Sequence, residues 1–289
     1  MSIRLENVSH TYGKGTPFEQ TALEPLSLEI KEGEFVGIIG HTGSGKSTLV
    51  QLLNGLLQPT EGTVHVDGIN IAEKSKEAFS ARRRVGMVFQ YPEYQLFEET
   101  IAGDIAFGPK NFGLNEAETA ERVREAMDFV GLDYDEYAER SPFRLSGGQM
   151  RRVAIAGIIA IRPKYLILDE PSAGLDPAGR REIFAQIRRR YEEKGISVIL
   201  VSHNMEDISS LANRLIVLSH GKIVLDGEPL TIFSACRDAL QEAGVDVPPV
   251  TQVLQYLQTR GLDVSDKAKT VADGTAAVYD ALRRNGHAD

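Results

Sequence analysis

The strongest hydrophobic pattern in the sequence is a set of short apolar runs in which polar residues do not alternate. These runs span residues 35–39, 165–168 and 198–201, and each is followed by a turn and a helical pattern. Strands that are apolar on both faces are typical of parallel sheets with helices packed on either side. The pattern therefore predicts an α/β fold with a doubly wound sheet.

A different helical pattern lies between the first and second runs. Its apolar positions recur at steps of three and four, at Ala120, Val123, Met127 and Val130. This spacing places them on one helix face, while the charged residues between them face water. Asn115 is the expected N-cap and Gly131 the expected end. We therefore expect a helical subdomain inserted into the α/β domain.

The segment after about Gly227 contains no comparable strand pattern. Pro248 and Pro249 interrupt it, and helical patterns follow over residues 251–259 and 275–284. We expect a small helical appendage. The alternative is a packed tail whose role is limited to stability.

Composition and charge exclude several classes of protein. The 289 residues include 42% hydrophobic residues and carry a formal net charge of −9. This composition is typical of a globular protein, and the acidic balance argues against a nucleic-acid partner. The longest apolar run, residues 153–161, is about half of the roughly 18 residues that a membrane-spanning helix needs. With no secretory signal pattern at the N-terminus, we expect the chain to stay in the cytoplasm.

A phosphate-binding loop follows the first apolar run. Residues 40–47 match the pattern G-x-x-x-x-G-K-[ST] and lead into a helical pattern. Glycines in such a loop let backbone N–H groups turn toward a polyphosphate at the helix N-terminus. Lys46 is expected to reach the β and γ phosphates, and the Ser47 hydroxyl to bind Mg²⁺. The predicted nucleotide-binding residues of this region are Gly40, Thr42, Gly43, Ser44, Gly45, Lys46, Ser47 and Thr48.

Polar side chains follow the second and third apolar runs. Asp169 and Glu170 end the second, where Asp169 is expected to bind Mg²⁺ and Glu170 to act as the general base for an attacking water. His203 follows the third, at the strand edge where α/β proteins bind ligands, so it is expected to contact the γ phosphate. The alternative for His203 is an ordinary surface histidine.

Residues 144–152 resemble the signature motif of ATP-binding-cassette ATPases, and the order of motifs over residues 1–230 is similar to that family. The resemblance implies a P-loop fold with a mainly parallel sheet core, an antiparallel β subdomain and an inserted helical subdomain at about residues 95–160. It also implies a head-to-tail dimer in which the signature of one subunit covers ATP on the other. Its nucleotide-contacting residues would be Ser146, Gly147, Gly148 and Gln149.

Three further positions follow from this resemblance. Tyr12 is similar to the aromatic residue that stacks on adenine, although an ordinary strand tyrosine is the alternative. Gln90 is similar to the glutamine that contacts Mg²⁺ and water and reports the nucleotide state to the transport partner. Residues 172–176, which end in Asp176, resemble the loop that links the two sites across the dimer.

Residues 89–100 and 104–113, with 41–43 and 150–157, are similar to the ATPases of energy-coupling factor importers, and more so to the second of their two paralogous types. The resemblance implies a peripheral subunit on the cytoplasmic side of the cell membrane that drives vitamin or metal-ion uptake. Its partners would be a second ATPase, with a homodimer less favoured, an integral membrane coupling subunit and a substrate-binding membrane subunit. Residues 231–289 would form a C-terminal helical extension that holds the dimer together.

An apolar cluster follows Gln90, consisting of Tyr91, Pro92, Tyr94, Leu96 and Phe97. This is more apolar surface than one small loop usually buries, so we expect a docking surface. The resemblance implies that a helix of the membrane subunit docks there. The alternative is that Leu96, Phe97 and Phe107 form the core of the helical subdomain, which we expect for about half of them.

Three rival functions remain open at this stage: the ATPase of another importer of the same superfamily, a soluble ATP switch in translation or DNA repair, and an ATP-binding regulator without hydrolysis. Soluble switches usually have two cassettes, a long coiled-coil insertion or a basic face, whereas this chain has one set of motifs and a net charge of −9. Glu170 and His203 argue against the regulator.

Overall fold

The computed structural model describes residues 1–284. Within them the strands are β1 (Ser2–Tyr12), β2 (Gln20–Lys31), β3 (Phe35–Ile39), β4 (Glu61–Val66), β5 (Ile69–Asn70), β6 (Val85–Val88), β7 (Tyr165–Asp169), β8 (Ser197–Val201), β9 (Arg214–Ser219) and β10 (Lys222–Gly227). The helices are α1 (Lys46–Leu53), α2 (Lys76–Arg82), α3 (Ile101–Asn111), α4 (Glu116–Phe129), α5 (Tyr134–Tyr137), α6 (Gly147–Ala160), α7 (Pro177–Lys194), α8 (Met205–Leu211), α9 (Pro229–Ala235), α10 (Arg237–Glu242), α11 (Pro249–Thr259) and α12 (Val271–Arg284).

Two sheets organise the described residues. The larger has the strand order β10-β9-β3-β8-β7-β6, in which all neighbours are parallel except β10 and β9. The smaller is antiparallel, with the order β2-β1-β4-β5. The three apolar runs are β3, β7 and β8 of the larger sheet, so the predicted α/β fold with a mainly parallel core and an antiparallel subdomain is confirmed.

The apolar runs are continuous because the larger sheet is buried on both faces. Phe35 and Ile39 of β3 belong to a core shared with the helices, whereas Val36 and Ile38 belong to a core shared with the antiparallel sheet. Successive side chains of a strand point to opposite faces, so β3 contributes to both cores. This double burial fixes the strand that carries the phosphate-binding loop.

The inserted helices α3, α4 and α6 pack against one another. Asn115 caps α4: its side chain accepts a hydrogen bond from the Glu118 backbone N–H at 2.9 Å, and the Glu118 carboxylate accepts one from the Asn115 N–H at 3.1 Å. The helix ends at Phe129, with Val130 as its C-cap. At one position the expected helix face is wrong, because Ala120 is exposed and Thr119 is buried.

The C-terminal residues divide between two cores. Ile232 and Phe233 of α9 and Leu240 of α10 lie in the core shared with the larger sheet. A separate cluster, with Leu254 and Ala281 at its centre, joins α11 to α12. The two helices predicted near 251–259 and 275–284 are thus present and begin earlier, and the last residues of the predicted extension, 285–289, lie outside the described residues. Over residues 1–284, no helix combines the length and the apolar character needed to cross a membrane.

Candidate active site

The strand order of the larger sheet brings the candidate residues to one edge. In this order β3, β8, β7 and β6 are successive neighbours, and their pairing is parallel throughout. The carboxyl ends of parallel strands meet at the same edge, which is where ligands bind in open α/β sheets. The residues that follow these four strands there are the 40–47 loop, His203, Asp169 with Glu170, and Gln90.

Glycines allow the 40–47 loop to pass very close to neighbouring backbone. Gly40 has φ 153° and Gly45 has φ 101°, a region that other residues rarely adopt. A side-chain carbon at Gly40 would collide with the carbonyl oxygen of Leu218 on β9. One at Gly45 would lie 2.7 Å from the carbonyl oxygen of Ala22 on β2. The loop is therefore tightly packed between the two sheets.

Lys46 is held within the loop that precedes it. Its buried ammonium group donates to the carbonyl oxygens of Gly40 at 2.7 Å and His41 at 2.9 Å. Burial lowers the pKa of Lys46, while the nearby carboxylates of Glu170 and Asp169 act in the opposite direction. The cation is therefore positioned at the loop, close to the carboxyl groups of Asp169 and Glu170 at the end of β7.

Two adjacent carboxyl groups end β7. Asp169 is buried, and burial raises its pKa against the opposing effects of the Lys46 charge and a hydrogen bond with Ser47. Burial also raises the pKa of Glu170, and repulsion from Asp169 adds to this, so that it reaches about 7. Because an ordinary glutamate titrates near pH 4.3, Glu170 is poised to exchange a proton near neutral pH.

His203 lies beside Glu170. Its Nε2 is 3.4 Å from Glu170 Oε1, and its backbone N–H donates to the Glu170 carboxylate. The His203 side chain is 59% exposed. Partial desolvation and the Lys46 charge lower the pKa of His203, which favours the neutral imidazole. Within the described residues Glu170 Oε1 is buried without a hydrogen-bond partner. A buried carboxylate oxygen in this state is available to a water molecule or a substrate group.

A cavity of about 240 Å³ opens beside the loop. Tyr12 forms one wall, with its hydroxyl 3.1 Å from the hydroxyl of Thr48 and its ring 42% exposed. An exposed ring face can stack on a planar ligand. The remaining lining residues are Gln20, Thr21, Ala22, Gly43, Gly45, Lys46, Ser47 and Thr48.

Three predicted loop residues, Gly40, Thr42 and Ser44, do not line this cavity. Thr42 is exposed, and its carbonyl oxygen lies 2.8 Å from His41 Nδ1. The Ser44 side chain is buried and its hydroxyl has no partner in the part of the chain that the structure describes. The Ser44 carbonyl oxygen accepts a hydrogen bond at 3.1 Å from the N–H of Gly221, in the turn between β9 and β10. This turn therefore supports the loop from behind.

The signature residues form the N-terminus of α6 and do not line this cavity in the described structure. Ser146 caps the helix: its Oγ accepts from the Gln149 N–H at 3.3 Å, and Gln149 Oε1 accepts from the Ser146 N–H at 3.1 Å. Gly147 is exposed, and a side-chain carbon there would meet nothing within 4 Å. Gly148 is partly exposed. The structure therefore presents an open helix N-terminus separate from the loop.

Gln90 and Asp176 also lie outside the cavity lining. Gln90 is exposed after β6, and its carbonyl oxygen accepts a hydrogen bond from Arg151 at 3.1 Å. Asp176 is the N-cap of α7, where Oδ1 accepts from the Gly179 N–H at 2.6 Å. Within this chain Asp176 therefore has a structural partner, and its contact with nucleotide stays a prediction.

Arg151 is the functional candidate that sequence reasoning missed. It is 3% exposed and forms two hydrogen bonds with the Glu93 carboxylate. The signal was the pair Arg151 and Arg152 at the start of an otherwise apolar helix. Two successive positions of a helix lie about 100° apart, so the two side chains cannot both lie at the centre of the solvent-facing side. The Arg151 side chain is 3% exposed and that of Arg152 is 19% exposed.

Comparison with known proteins agrees with this geometry. The family model described as ABC transporter matches residues 23–173. The energy-coupling factor transporter ATP-binding protein EcfA2 of Clostridium perfringens is 52% identical over 285 residues, covering 99% of this chain and 100% of that protein. Its counterpart in Clostridioides difficile is 50% identical, with 99% of each chain covered.

Two solved structures are similar in fold. The ATP-binding cassette MJ0796, described as a dimer in a post-hydrolysis state with ADP and Pi, has a TM-score of 0.70 and 32% identity, covering 78% of this chain and 98% of its own. The cbiO1 protein of Clostridium perfringens, described as part of the ABC transporter complex cbiONQ, has a TM-score of 0.72 and 33% identity, with coverages of 90% and 98%. The chain belongs to the ABC transporter family, as an ATP-binding and ATP-hydrolysing subunit of the energy-coupling factor type.

Proposed function

We propose that this chain is one of two ATPases that close around two Mg²⁺-bound ATP molecules and drive an importer in the membrane. The observation that carries the proposal is the separation of two anion-binding elements within one chain. The 40–47 loop opens into the cavity beside Tyr12, while the N-terminus of α6 is free of that cavity in the described structure. Both elements suit phosphate, and a head-to-tail pair would bring each one against its counterpart. The dimeric cassette among the solved relatives supports this arrangement.

ATP would bind across the cavity. The loop amides and the N-terminus of α1 would bind the phosphates. Lys46, which now donates to the loop carbonyl oxygens, would donate to the phosphates instead. The exposed face of Tyr12 would stack on the adenine ring. On the partner ATPase, Ser146 and the amides of Gly147 and Gly148 would face the γ phosphate from the opposite side.

The residues at the loop fit a magnesium ion. Ser47 is exposed, and its hydroxyl donates a hydrogen bond to Asp169, so two oxygen ligands lie together at the start of α1. No group of three or more His, Cys, Asp or Glu side chains within residues 1–284 could hold a metal by itself. This sparse set suits Mg²⁺, which keeps several waters and shares phosphate oxygens. The ion would neutralise charge that develops on the phosphates, with Ser47, Asp169 and Gln90 holding it.

Glu170 would orient and deprotonate the attacking water. Its unpartnered Oε1 can accept the water proton, and the pKa of about 7 matches this task at neutral pH. His203 would donate a hydrogen bond to the γ phosphate, because its neutral ring is positioned beside Glu170. Loss of that phosphate would break the contact and allow the two ATPases to separate.

Transport would be driven through a docking surface made of Tyr91, Tyr94, Phe97 and Phe107. These four side chains are between 46% and 84% exposed, and the Phe97 and Phe107 rings are in edge contact at 4.8 Å. Leu96, which the sequence suggested for the same surface, is instead buried in the core of the helical subdomain. An exposed aromatic surface of this kind fits a helix of an integral membrane coupling subunit.

The C-terminal helices would contribute to the contact between the two ATPases. Helices α11 and α12 enclose an apolar groove of about 480 Å³. Val253 and Val271, at its border, are 57% and 63% exposed. A second ATPase would cover these side chains, and the predicted extension from residue 231 would then serve dimerisation.

Purification of the tagged chain from its native membrane tests this function. We expect a second cassette ATPase to co-purify together with an integral membrane coupling subunit and a substrate-binding membrane subunit, placing the chain on the cytoplasmic face of the membrane. Recovery of two copies of this chain with the membrane proteins would identify a homodimer. Transport of vitamins or metal ions would then be assayed in vesicles that contain the purified complex. Recovery of the chain on ribosomes or DNA, free of membrane proteins, would contradict the proposal.

A further inference from the structure

A buried ion pair connects α6 to the segment that follows Gln90. The Arg151 side chain is 3% exposed, and that of Glu93 is 16% exposed. Arg151 Nε lies 3.1 Å from Glu93 Oε2, and Arg151 Nη2 lies 3.0 Å from Glu93 Oε1. This two-bond geometry fixes both the position and the orientation of the carboxylate. Glu93 is therefore held rigidly against the signature helix.

The same guanidinium group also holds the start of that segment. Arg151 Nη2 donates to the Gln90 carbonyl oxygen at 3.1 Å. Glu93 belongs to the short turn Pro92–Gln95, between the docking-surface residues Tyr91 and Tyr94. The Arg151 guanidinium carbon lies 5.9 Å from the centre of the Tyr91 ring. One side chain thus fixes the end of β6 and the base of the docking surface to the same turn of α6.

The third nitrogen of the Arg151 guanidinium group, Nη1, lies near the loop of residues 172–176. Nη1 is buried and has no hydrogen-bond partner within the described residues. A side-chain carbon at Gly174 would lie 3.8 Å from it. Because a buried donor without a partner is costly, Nη1 is available to a further hydrogen-bond acceptor.

We propose that Arg151 is a positioning residue that makes the docking surface and the N-terminus of α6 move as one unit. Nucleotide bound at the sheet edge would shift Gln90 and the signature together, and the docking surface would follow through Glu93. The meaning of that movement for transport rests on the proposed function. The link itself lies within one chain and can be measured without membrane proteins.

Hydrogen–deuterium exchange of the full-length purified ATPase tests the link, with and without Mg²⁺ and the analogue AMP-PNP. In the natural chain we expect the analogue to slow exchange over residues 91–97 by roughly threefold or more. In Arg151→Gln this slowing should fall below about 1.5-fold, while residues 40–50 keep their full protection. Retained protection at 40–50 would show that nucleotide still binds, which separates lost positioning from lost folding.

Three variants complete the experiment. Glu93→Gln breaks the pair from the other side, at a more exposed residue, and should match Arg151→Gln. Arg151→Lys should retain part of the response, because a lysine can bond one carboxylate oxygen. Arg152→Gln is the matched control, since the neighbouring arginine pairs with Glu182 at 2.7 Å. It should behave as the natural chain does.

An unchanged response of residues 91–97 in Arg151→Gln, or a natural chain in which they do not respond, would overturn the proposal. The proposal would also be overturned if the double variant Arg151→Gln with Glu93→Gln lost more of the slowed exchange over residues 91–97 than either single variant, with the two effects adding. A positive exchange result combined with failure to recover membrane proteins would reject the proposed transport function and leave the link standing. The two ideas are therefore separable.

Discussion

The sheet edge and the docking surface differ in what they bury and what they expose. At the edge, polar groups are buried close together: Lys46 donates to the Gly40 and His41 carbonyl oxygens, whereas Glu170 Oε1 has no partner within the described residues. At the docking surface, aromatic groups are exposed, and Tyr94 reaches 84%. The chain therefore positions its phosphate-binding loop and carboxylates by itself, whereas the aromatic surface is left exposed for another protein to cover.

Ionising Glu170 at the edge costs free energy, whereas covering the docking surface would release it. The pKa of Glu170, raised to about 7, means that its ionised form is disfavoured in the folded chain. Covering an exposed Tyr94 or Phe97 would instead contribute about 1.5–3 kcal/mol per side chain. At the edge, ionising Glu170 costs free energy in the folded chain, and the raised pKa serves catalysis. At the docking surface, covering the aromatic side chains would contribute favourable free energy to assembly.

The largest effect is expected at the edge. Glu170→Gln should slow ATP hydrolysis by about 10²–10⁴-fold, because the amide cannot accept the water proton. ATP affinity should be retained. Single-turnover measurements on the assembled complex, with exposed Glu206→Gln as the control, provide the check. Hydrolysis by Glu170→Gln at the rate of the natural chain would remove Glu170 from the mechanism.

The docking surface should give the next largest effect. Tyr94→Ser combined with Phe97→Ser should weaken binding to the membrane subunit by about 2–4 kcal/mol, as two exposed aromatic anchors are lost. Co-purification yield and Kd measure this, and hydrolysis by the isolated ATPase should not change. Leu56→Ser removes an equally exposed apolar side chain elsewhere and is the matched control.

Leu96 and Phe97 allow a test that separates fold stability from docking. Because Leu96 is buried beside Phe97, Leu96→Ala should destabilise the fold by about 2–5 kcal/mol in thermal or denaturant unfolding. Phe97→Ser should change stability much less. If both variants affected only assembly, the assignment of Leu96 to the core would be wrong.

Removing the cation of the loop should have a smaller effect. Lys46→Ala should weaken ATP binding by about 1.5–3 kcal/mol, since it removes charged hydrogen bonds to phosphate. Isothermal titration calorimetry measures the affinity. Lys164→Ala offers a control, because that lysine is also largely buried but pairs with Asp67 away from the loop. Equal affinities for Lys46→Ala and the natural chain would contradict the role of Lys46.

The smallest expected effect is that of pH. Glu170 has to be ionised to accept a proton, so hydrolysis should rise about tenfold between pH 6 and pH 8 around its pKa of about 7. Unfolding does not explain the fall at pH 6. A carboxyl group whose pKa is raised by folding adds stability as pH falls through that pKa. Thermal unfolding across the same range is the control, and a flat rate profile would contradict the assignment.

Local chemistry was predictable from the sequence because its residues are close together along the chain. The 40–47 loop and the carboxylates of β7 follow recognisable strands, and strand order brings them to one edge. Orientation within a turn or a helix was not predictable. Leu96 and Phe97 are equally apolar neighbours, yet in the folded chain Leu96 joins the core and Phe97 stays exposed.

The boundary of the C-terminal part was difficult for the same reason. Ile232 and Phe233 belong by sequence to the predicted extension, whereas their side chains complete the core shared with the larger sheet. The sequence shows that Ile232 and Phe233 are apolar, but it does not show which core they join. Arg151 is the converse case, because the arginine pair in an apolar helix was visible in the sequence, whereas its buried partner Glu93 was not.

The turn between β9 and β10 has a practical consequence for anyone who wants to label this ATPase. Gly221 donates to Ser44 behind the phosphate-binding loop, and its carbonyl oxygen accepts from the N–H of Glu24 on β2. A fluorescent reporter or affinity handle inserted in this short surface turn would disturb nucleotide binding from the rear. Tags belong at a site that makes no such backbone connections.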